Sequence, residues 1–302
     1  MKLATFTHAG VTRIGVVVGD EVVDLATAAP EMPRTLEAFL AAGPAGLERA
    51  RSAARGGPRI PLVQVRLEAP VQRPRKFLAI GLNYADHIAE SGMEAPKFPV
   101  FFNKQITCVV GPDDDVHMPR VSNLLDYEGE LAVVIGTRCR HVPEDRAHEV
   151  TAGYTITNDV SVRDWQIRTP TMTMGKSFDT HGPLGPWIVT ADELGDPHDL
   201  AIRTYVNGEL RQDGNTREMI YNCYQQVAHL SQAFTLEPGD VIATGTPAGI
   251  GAVRQPFPDG LLKVGDVVRV QIDGIGELCN TVVEEPEGYL APETEVEAAW
   301  AR

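Results

Sequence analysis

A chain of 302 residues has room for one large domain, or a large one with a small companion, and its 43% apolar and 23% charged residues are ordinary for a globular protein. The formal net charge of −14 argues against a nucleic-acid partner, which needs a basic stripe, and an anionic substrate would have to be attracted by a local cationic pocket or a bound metal. No apolar run approaches the roughly 18 residues of a membrane span, and the first 24 residues lack the apolar region and cleavage site of a signal peptide, so a soluble, cytoplasmic protein without membrane contact is expected.

The chain opens on alternation. Residues 2–6 and 12–18 read as strands, and Gly19-Asp20 turns the second into 21–24 as a hairpin. Residues 35–55 carry Leu36, Phe39, Leu40 and Leu47 at helical spacing, and Gly56-Gly57-Pro58 ends the pattern. We read 1–70 as a small N-terminal α+β domain, 71–290 as a larger catalytic domain, and 291–302 as a tail whose mixture of acids and alanine predicts disorder over 293–302.

Past residue 70, short strand patterns at 76–81, 131–135, 153–158, 187–190, 201–206, 240–244, 267–272 and 278–283 are punctuated by Gly, Pro and Asp. Helical patterns are fewer: 86–90, and 216–235, with Met219, Ile220, Val227, Leu230 and Phe234 as the apolar stripe. Many strands with few helices predict an α+β, mostly β fold, rolled or sandwiched rather than doubly wound. Cys108, Cys139, Cys223 and Cys279 are too widely spaced for a metal or redox motif and read as reduced, mostly buried thiols.

The segment from Asp126 to Ile135 carries the most chemistry. On a strand, Asp126, Glu128 and Glu130 share one side, and three carboxylates in a row repel unless a cation sits among them. A solvated edge would carry the same acids, but the run into Leu131–Ile135 implies burial, where carboxylates must be protonated, paired or metal-bound. Asp159, at the end of another apolar strand, reads either as a turn or cap residue or as a third oxygen ligand, and such a set favours Mg²⁺ or Mn²⁺ over Zn²⁺.

Taken in order, Gly81-Leu82-Asn83-Tyr84-Ala85-Asp86-His87, Asp126 to Leu131, Asn158-Asp159-Val160-Ser161, Gly175-Lys176-Ser177-Phe178-Asp179, Pro183-Leu184-Gly185-Pro186 and Gly245 to Gly251 resemble the fumarylacetoacetate hydrolase family over about residues 75–283. The resemblance implies a mixed β-roll/β-sandwich catalytic domain, a homodimer, and one Mg²⁺ or Mn²⁺ per subunit on Glu128, Glu130 and Asp159. It also implies a small anionic substrate whose 2-keto acid end meets that metal. Members of the family hydrolyse acylpyruvates and similar diketo acids, decarboxylate oxaloacetate, or isomerise and decarboxylate ring-cleavage products.

His87 and Glu90, three apart on a predicted helix, face the same way, so Glu90 can hold the imidazole that deprotonates water; an ordinary surface pair has the same spacing. The resemblance places them on a lid, which Ser91-Gly92, Pro96 and Pro99 would hinge. Lys176, by its family motif, and Lys104, by its apolar setting, are candidate substrate cations. Arg163 and Gln166 follow Asp159 at i+4 and i+7, one face if the segment is helical; Gln166 would stabilise an oxyanion, and Arg163 would pair with the acids or bind substrate. The loop from Gly245 to Gly251 lacks P-loop chemistry, and the resemblance implies that its amides and Thr246 meet the substrate carboxylate.

The leading expectation is therefore a metal-dependent C–C bond hydrolase that cleaves a 2,4-diketo acid (acylpyruvate or fumarylpyruvate-like) to pyruvate and a carboxylic acid. The alternatives at the same metal are oxaloacetate decarboxylation and isomerisation or decarboxylation of a 2-hydroxy-diene dioate. A non-catalytic binding module is disfavoured because the acids and His87 are all present.

Overall fold

A computed structural model describes residues 1–288; the acid-and-alanine stretch 293–302 lies outside the described residues. The backbone of the molecule is a mixed twelve-stranded sheet. Its main path runs Arg59–Pro61, Glu21–Asp24, Val11–Val18, Lys2–His8, Gly182–Thr190, Thr151–Asn158, Gly129–Ile135, Val241–Ala243, Phe77–Gly81 and Val100–Lys104. A five-stranded sheet, Glu209–Asn215, Ala201–Val206, Val267–Ile272, Gly276–Glu284 and Val116–Met118, packs across it. The expected α+β, mostly β, rolled and sandwiched architecture is what the chain adopts.

Strand Gly129–Ile135 is buried on both faces, and its period of two divides the interior. Leu131, Val133 and Ile135 face one core with Ile202, Val268, Val270 and Leu278 of the five-stranded sheet. Ala132 and Val134 face a second core with Leu36, Phe39, Leu40 and Ala50 of the N-terminal helices. Gly129 carries no side chain because a Cβ there would lie 2.3 Å from Thr204 Oγ1. The N-terminal strands extend the same sheet, Lys2 pairing with Val189 and Leu3 with Ile188.

Two expectations about elements are corrected. Residues 35–55 form two helices, Leu36–Leu40 and Gly43–Gly56, because the chain turns through Gly43 at φ +64°, a conformation that breaks helical hydrogen bonding and suits glycine. The 216–235 pattern is a 3₁₀ turn, Thr216–Glu218, followed by a helix, Cys223–Ala233, which starts at an Asn222–Gln225 capping box. Strands Val100–Lys104 and Glu209–Asn215 add to those expected. Cys108 and Cys223 are buried and Cys139 and Cys279 half-buried, all as free thiols. Among the described residues no helix is long and apolar enough to cross a membrane.

Candidate active site

Sheet register assembles the acids. Strand Gly129–Ile135 runs antiparallel to Thr151–Asn158 with Gly129 opposite Asn158 and Glu130 opposite Thr157, so Glu128 and Asp159 flank the same end. Asp159 N donates to Glu128 O at 2.8 Å, and Glu128 N to Asn158 Oδ1 at 2.9 Å. Carboxylate oxygens of Glu128, Glu130 and Asp159 then lie within 4.8 Å of one another, all buried.

Cations surround this trio unevenly. Lys176 Nζ donates to Glu128 Oε2 at 2.7 Å and Asp159 Oδ2 at 2.8 Å, and Arg163 Nη1 donates to Glu128 Oε1 at 2.6 Å. Burial alone would raise the Glu128 carboxyl, but Lys176 and then Arg163 outweigh it and hold the group at about 2. Glu130 accepts only an amide, from Gly245 at 2.8 Å. Burial first, then the charges of Asp159 and Glu128, push its carboxyl well above the ordinary range. A buried carboxylate without a counter-charge costs several kcal/mol, and a divalent cation among the three would remove that cost. Three clustered hard oxygen donors fit Mg²⁺ or Mn²⁺.

Asp126, Glu128 and Glu130 do not lie on one continuous strand: Leu125–Asp126 pairs separately with Ser161–Val162, and residues 127–128 belong to neither strand. Asp126 instead accepts from the amides of Gly251 and Ala252 at 2.8 and 2.9 Å and from Arg163 Nε at 2.8 Å. Nor is the segment after Asp159 helical throughout: Ser161–Val162 is a strand, and the helix spans only Arg163–Gln166. Arg163 and Gln166 still reach the site, and Arg163 Nη1 donates to Gln166 Oε1 at 2.9 Å, which leaves the amide nitrogen facing Met172 Sδ at 3.8 Å. Gly175 lets the Lys176 segment pass, since a Cβ there would lie 2.1 Å from Gln166 N.

Lys104 occupies a different place from the substrate contact expected of it. Its ammonium is buried and donates to Asp159 Oδ1 at 2.6 Å, to His181 O at 3.0 Å and to Lys176 O, so its three protons are committed. It positions Asp159 from behind. His181 supports it: Nε2 lies 2.8 Å from His117 O, and burial lowers the imidazole to about 3, keeping it neutral.

The opposite wall is the helix Ala85–Ser91. His87 Nδ1 and Glu90 Oε1 are 2.8 Å apart, so the Nδ1 proton goes to Glu90 and Nε2 is left free to accept. Most amides of the loop from Gly245 to Gly251 are already engaged by protein carboxylates. Those at Gly245, Ala248, Gly249 and Gly251 donate to Glu130, Asp86, Glu90 and Asp126. Thr246 Oγ1 donates to Gly129 O at 2.9 Å and accepts from Gln212 Nε2 at 2.7 Å, while Thr246 still borders the site.

These groups face a cavity of about 550 Å³. His87, Glu128, Arg163, Gln166, Lys176 and Thr246 border it; Glu90, Glu130, Asp159 and Lys104 lie behind. The loop 169–174 contributes Thr169, Pro170 and Met172 to the lining, while 255–262 contributes nothing to it. Gln212, which braces Thr246 and Gly129, and Asn83, which holds Thr244 O and Tyr221 O, had no assigned role. Asn83 lies inside a family-like segment; Gln212 carries no sequence signal.

The profile of the C-terminal domain of fumarylacetoacetate (FAA) hydrolase matches residues 76–283. The chain is 44% identical to the mitochondrial oxaloacetate tautomerase Fahd2a of Rattus norvegicus over 268 residues, covering 88% of this chain and 85% of that one. Fumarylacetoacetate hydrolase from psychrophilic Exiguobacterium antarcticum superposes with TM-score 0.84 at 39% identity, over 94% of this chain and 100% of the other. Maleylpyruvate hydrolase from Sphingobium sp. SYK-6, in complex with manganese(II) and pyruvate, superposes with TM-score 0.80 at 35% identity, over 95% of this chain and 100% of the other. With the ordered motifs, the carboxylate trio and these likenesses together, the chain belongs to the fumarylacetoacetate hydrolase family.

Proposed function

We propose that the protein is a divalent-metal-dependent hydrolase that cleaves a carbon–carbon bond in a 2,4-diketo acid, releasing pyruvate and a carboxylic acid. The observation that carries this reading is that one cavity is bordered both by Glu128 of the carboxylate trio and by His87, whose imidazole is tied to Glu90. Glu128, Glu130 and Asp159 would hold one Mg²⁺ or Mn²⁺ per subunit, which when bound supplies Lewis-acid polarisation of the keto oxygens. The manganese and pyruvate held by the Sphingobium enzyme support this choice of ion and product.

The protein's own groups perform the proton transfers. His87 Nδ1–H donates to Glu90 and keeps its proton, and His87 Nε2 takes one from water as the water oxygen adds to the C4 carbonyl. The Gln166 amide nitrogen, with no stronger partner than the Met172 sulfur, donates to the oxyanion formed at C4. The C3–C4 bond then breaks, its electron pair stays on C3, and the proton held by His87 passes to C3. The C4 fragment leaves as the carboxylic acid and the C3 fragment as pyruvate. Lys176 keeps Glu128 ionised and donates to Asp159 as well, and Arg163 fixes the direction of Glu128.

Tautomerisation or decarboxylation of oxaloacetate is the second reading, favoured by the identity to the rat tautomerase; it needs no attacking water. Purified protein with Mn²⁺ should give its highest kcat/KM on an acylpyruvate, with ¹⁸O from labelled water in the released acid. A higher kcat/KM on oxaloacetate would decide for the second reading. The homodimer is proposed on family resemblance, and sedimentation of twice the chain mass tests it.

A further inference from the structure

Resting on the diketo-acid reading, we infer that the part of the substrate beyond C4 is an uncharged, apolar acyl chain rather than a second carboxylate. The cavity lining is of two chemical kinds, charged groups that are already paired and apolar side chains. Its basic side chains are the His87 imidazole, Arg163, Arg168 and Lys176, and each already faces an acid. His87 is on Glu90, Arg163 on Asp126 and Glu128, and Lys176 on Glu128 and Asp159. Arg168 Nη2 lies 3.3 Å from Asp164 Oδ2, with its guanidinium 3.9 Å over the Trp165 ring.

Beside the uncharged polar groups of Ser91, Gln166, Thr169 and Thr246, the rest of the lining is mostly hydrocarbon. Ile80 and Val100, from the paired strands Phe77–Gly81 and Val100–Lys104, stand with Phe102, Met172 and Ile250 around the cavity. The Met172 methyl lies against Gly81, 3.8 Å from where a Cβ would stand. The mouth continues the same chemistry: Ile167 is 83% exposed and Met93 56% exposed, both bordering the opening. A carboxylate set against these apolar side chains loses its water and meets only cations that already face an acid. An alkyl or aryl chain is favoured there by burial.

The test uses Mn²⁺-loaded protein and two series. Straight-chain 2-oxo acids from 2-oxobutanoate to 2-oxooctanoate serve as inhibitors, against 2-oxoglutarate and 2-oxoadipate; alkyl acylpyruvates serve as substrates, against fumarylpyruvate. Each added methylene should tighten inhibition about fourfold until the pocket is full, and each dicarboxylate should bind at least tenfold more weakly than the monocarboxylate of equal length. Met172→Lys should narrow or reverse that preference, and Arg168→Ala should leave it unchanged. Dicarboxylates that bind as tightly as their alkyl counterparts would overturn the inference, as would a dicarboxylate preference lost in Arg168→Ala. Graded inhibition with no pyruvate released from any substrate would sustain the apolar pocket and defeat the hydrolytic reading alone.

Discussion

The carboxylate floor and the helix facing it reach the same cavity by different physical means. Glu128, Glu130 and Asp159 hang from the ends of two central strands, and ladder bonds, two lysines and an arginine set their positions. His87 and Glu90 stand on a helix of seven residues, too short to persist alone, that ends at Gly92 in a left-handed turn. Its hold on the body is largely polar: Ala248 N to Asp86 at 3.1 Å, Gly249 N to Glu90 at 2.8 Å, and Ile220 N to Asn83 O just ahead of it at 2.8 Å. The floor therefore cannot move without opening the sheet, whereas the helix can undock at the cost of a few hydrogen bonds. The loop from Gly245 to Gly251 touches both, giving one amide to Glu130 and others to the helix, so it is where the two walls are kept in register.

The largest effects should separate the walls. Glu128→Ala removes a ligand and strands Lys176 and Arg163, so it should abolish both Mn²⁺ binding and turnover; calorimetry showing unchanged Mn²⁺ affinity would break the assignment of the floor. His87→Ala should lower acylpyruvate hydrolysis by about 10²–10⁴-fold, the range of a general base, with Mn²⁺ affinity retained. Undiminished hydrolysis would show that the helix takes no part in activating water.

The sequence is informative about the floor and reticent about what surrounds it. Alternation and turn residues locate most central strands, and acids leading into an apolar run mark Glu128 and Glu130 because buried carboxylates demand partners. Helical spacing pairs His87 with Glu90. Partner choice is not local, however. That Lys104 serves Asp159 rather than the substrate depends on the loop around His181 closing behind it, 77 residues along the chain. That four amides of 245–251 serve protein carboxylates depends on three separate segments meeting. The condition that 159–166 be helical is met only over Arg163–Gln166, because pairing of Ser161–Val162 with Leu125–Asp126 overrides local spacing before it.

A smaller effect sharpens the comparison through pH. Burial holds His181 neutral down to about 3, against an ordinary 6.5, while the unfolded chain takes up a proton near the ordinary value. Stability from this group is thus complete above 6.5 and is lost as pH falls toward 3, at no more than about 1.4 kcal/mol per pH unit. His181→Asn, unable to titrate, should show a shallower loss of unfolding free energy between pH 6.5 and 4 in urea. An unchanged slope would mean that the floor admits a proton, and is less closed than its burial indicates.

The smallest effect tests the helix's docking. Asp86 accepts from Ala248 N at 3.1 Å and from His87 N at 2.7 Å, so Asp86→Ala should cost the docked position about 1 kcal/mol. Read as kinetics, that is a loss in kcat/KM of roughly fivefold, because a smaller fraction of molecules presents the dyad. If helix and floor are separable, hydrogen exchange should quicken over 85–91 while strand Gly129–Ile135, global unfolding and Mn²⁺ affinity stay as they were. Faster exchange in that strand would mean that the two walls open together; the loop at 245–251 would then act as a rigid strut between them.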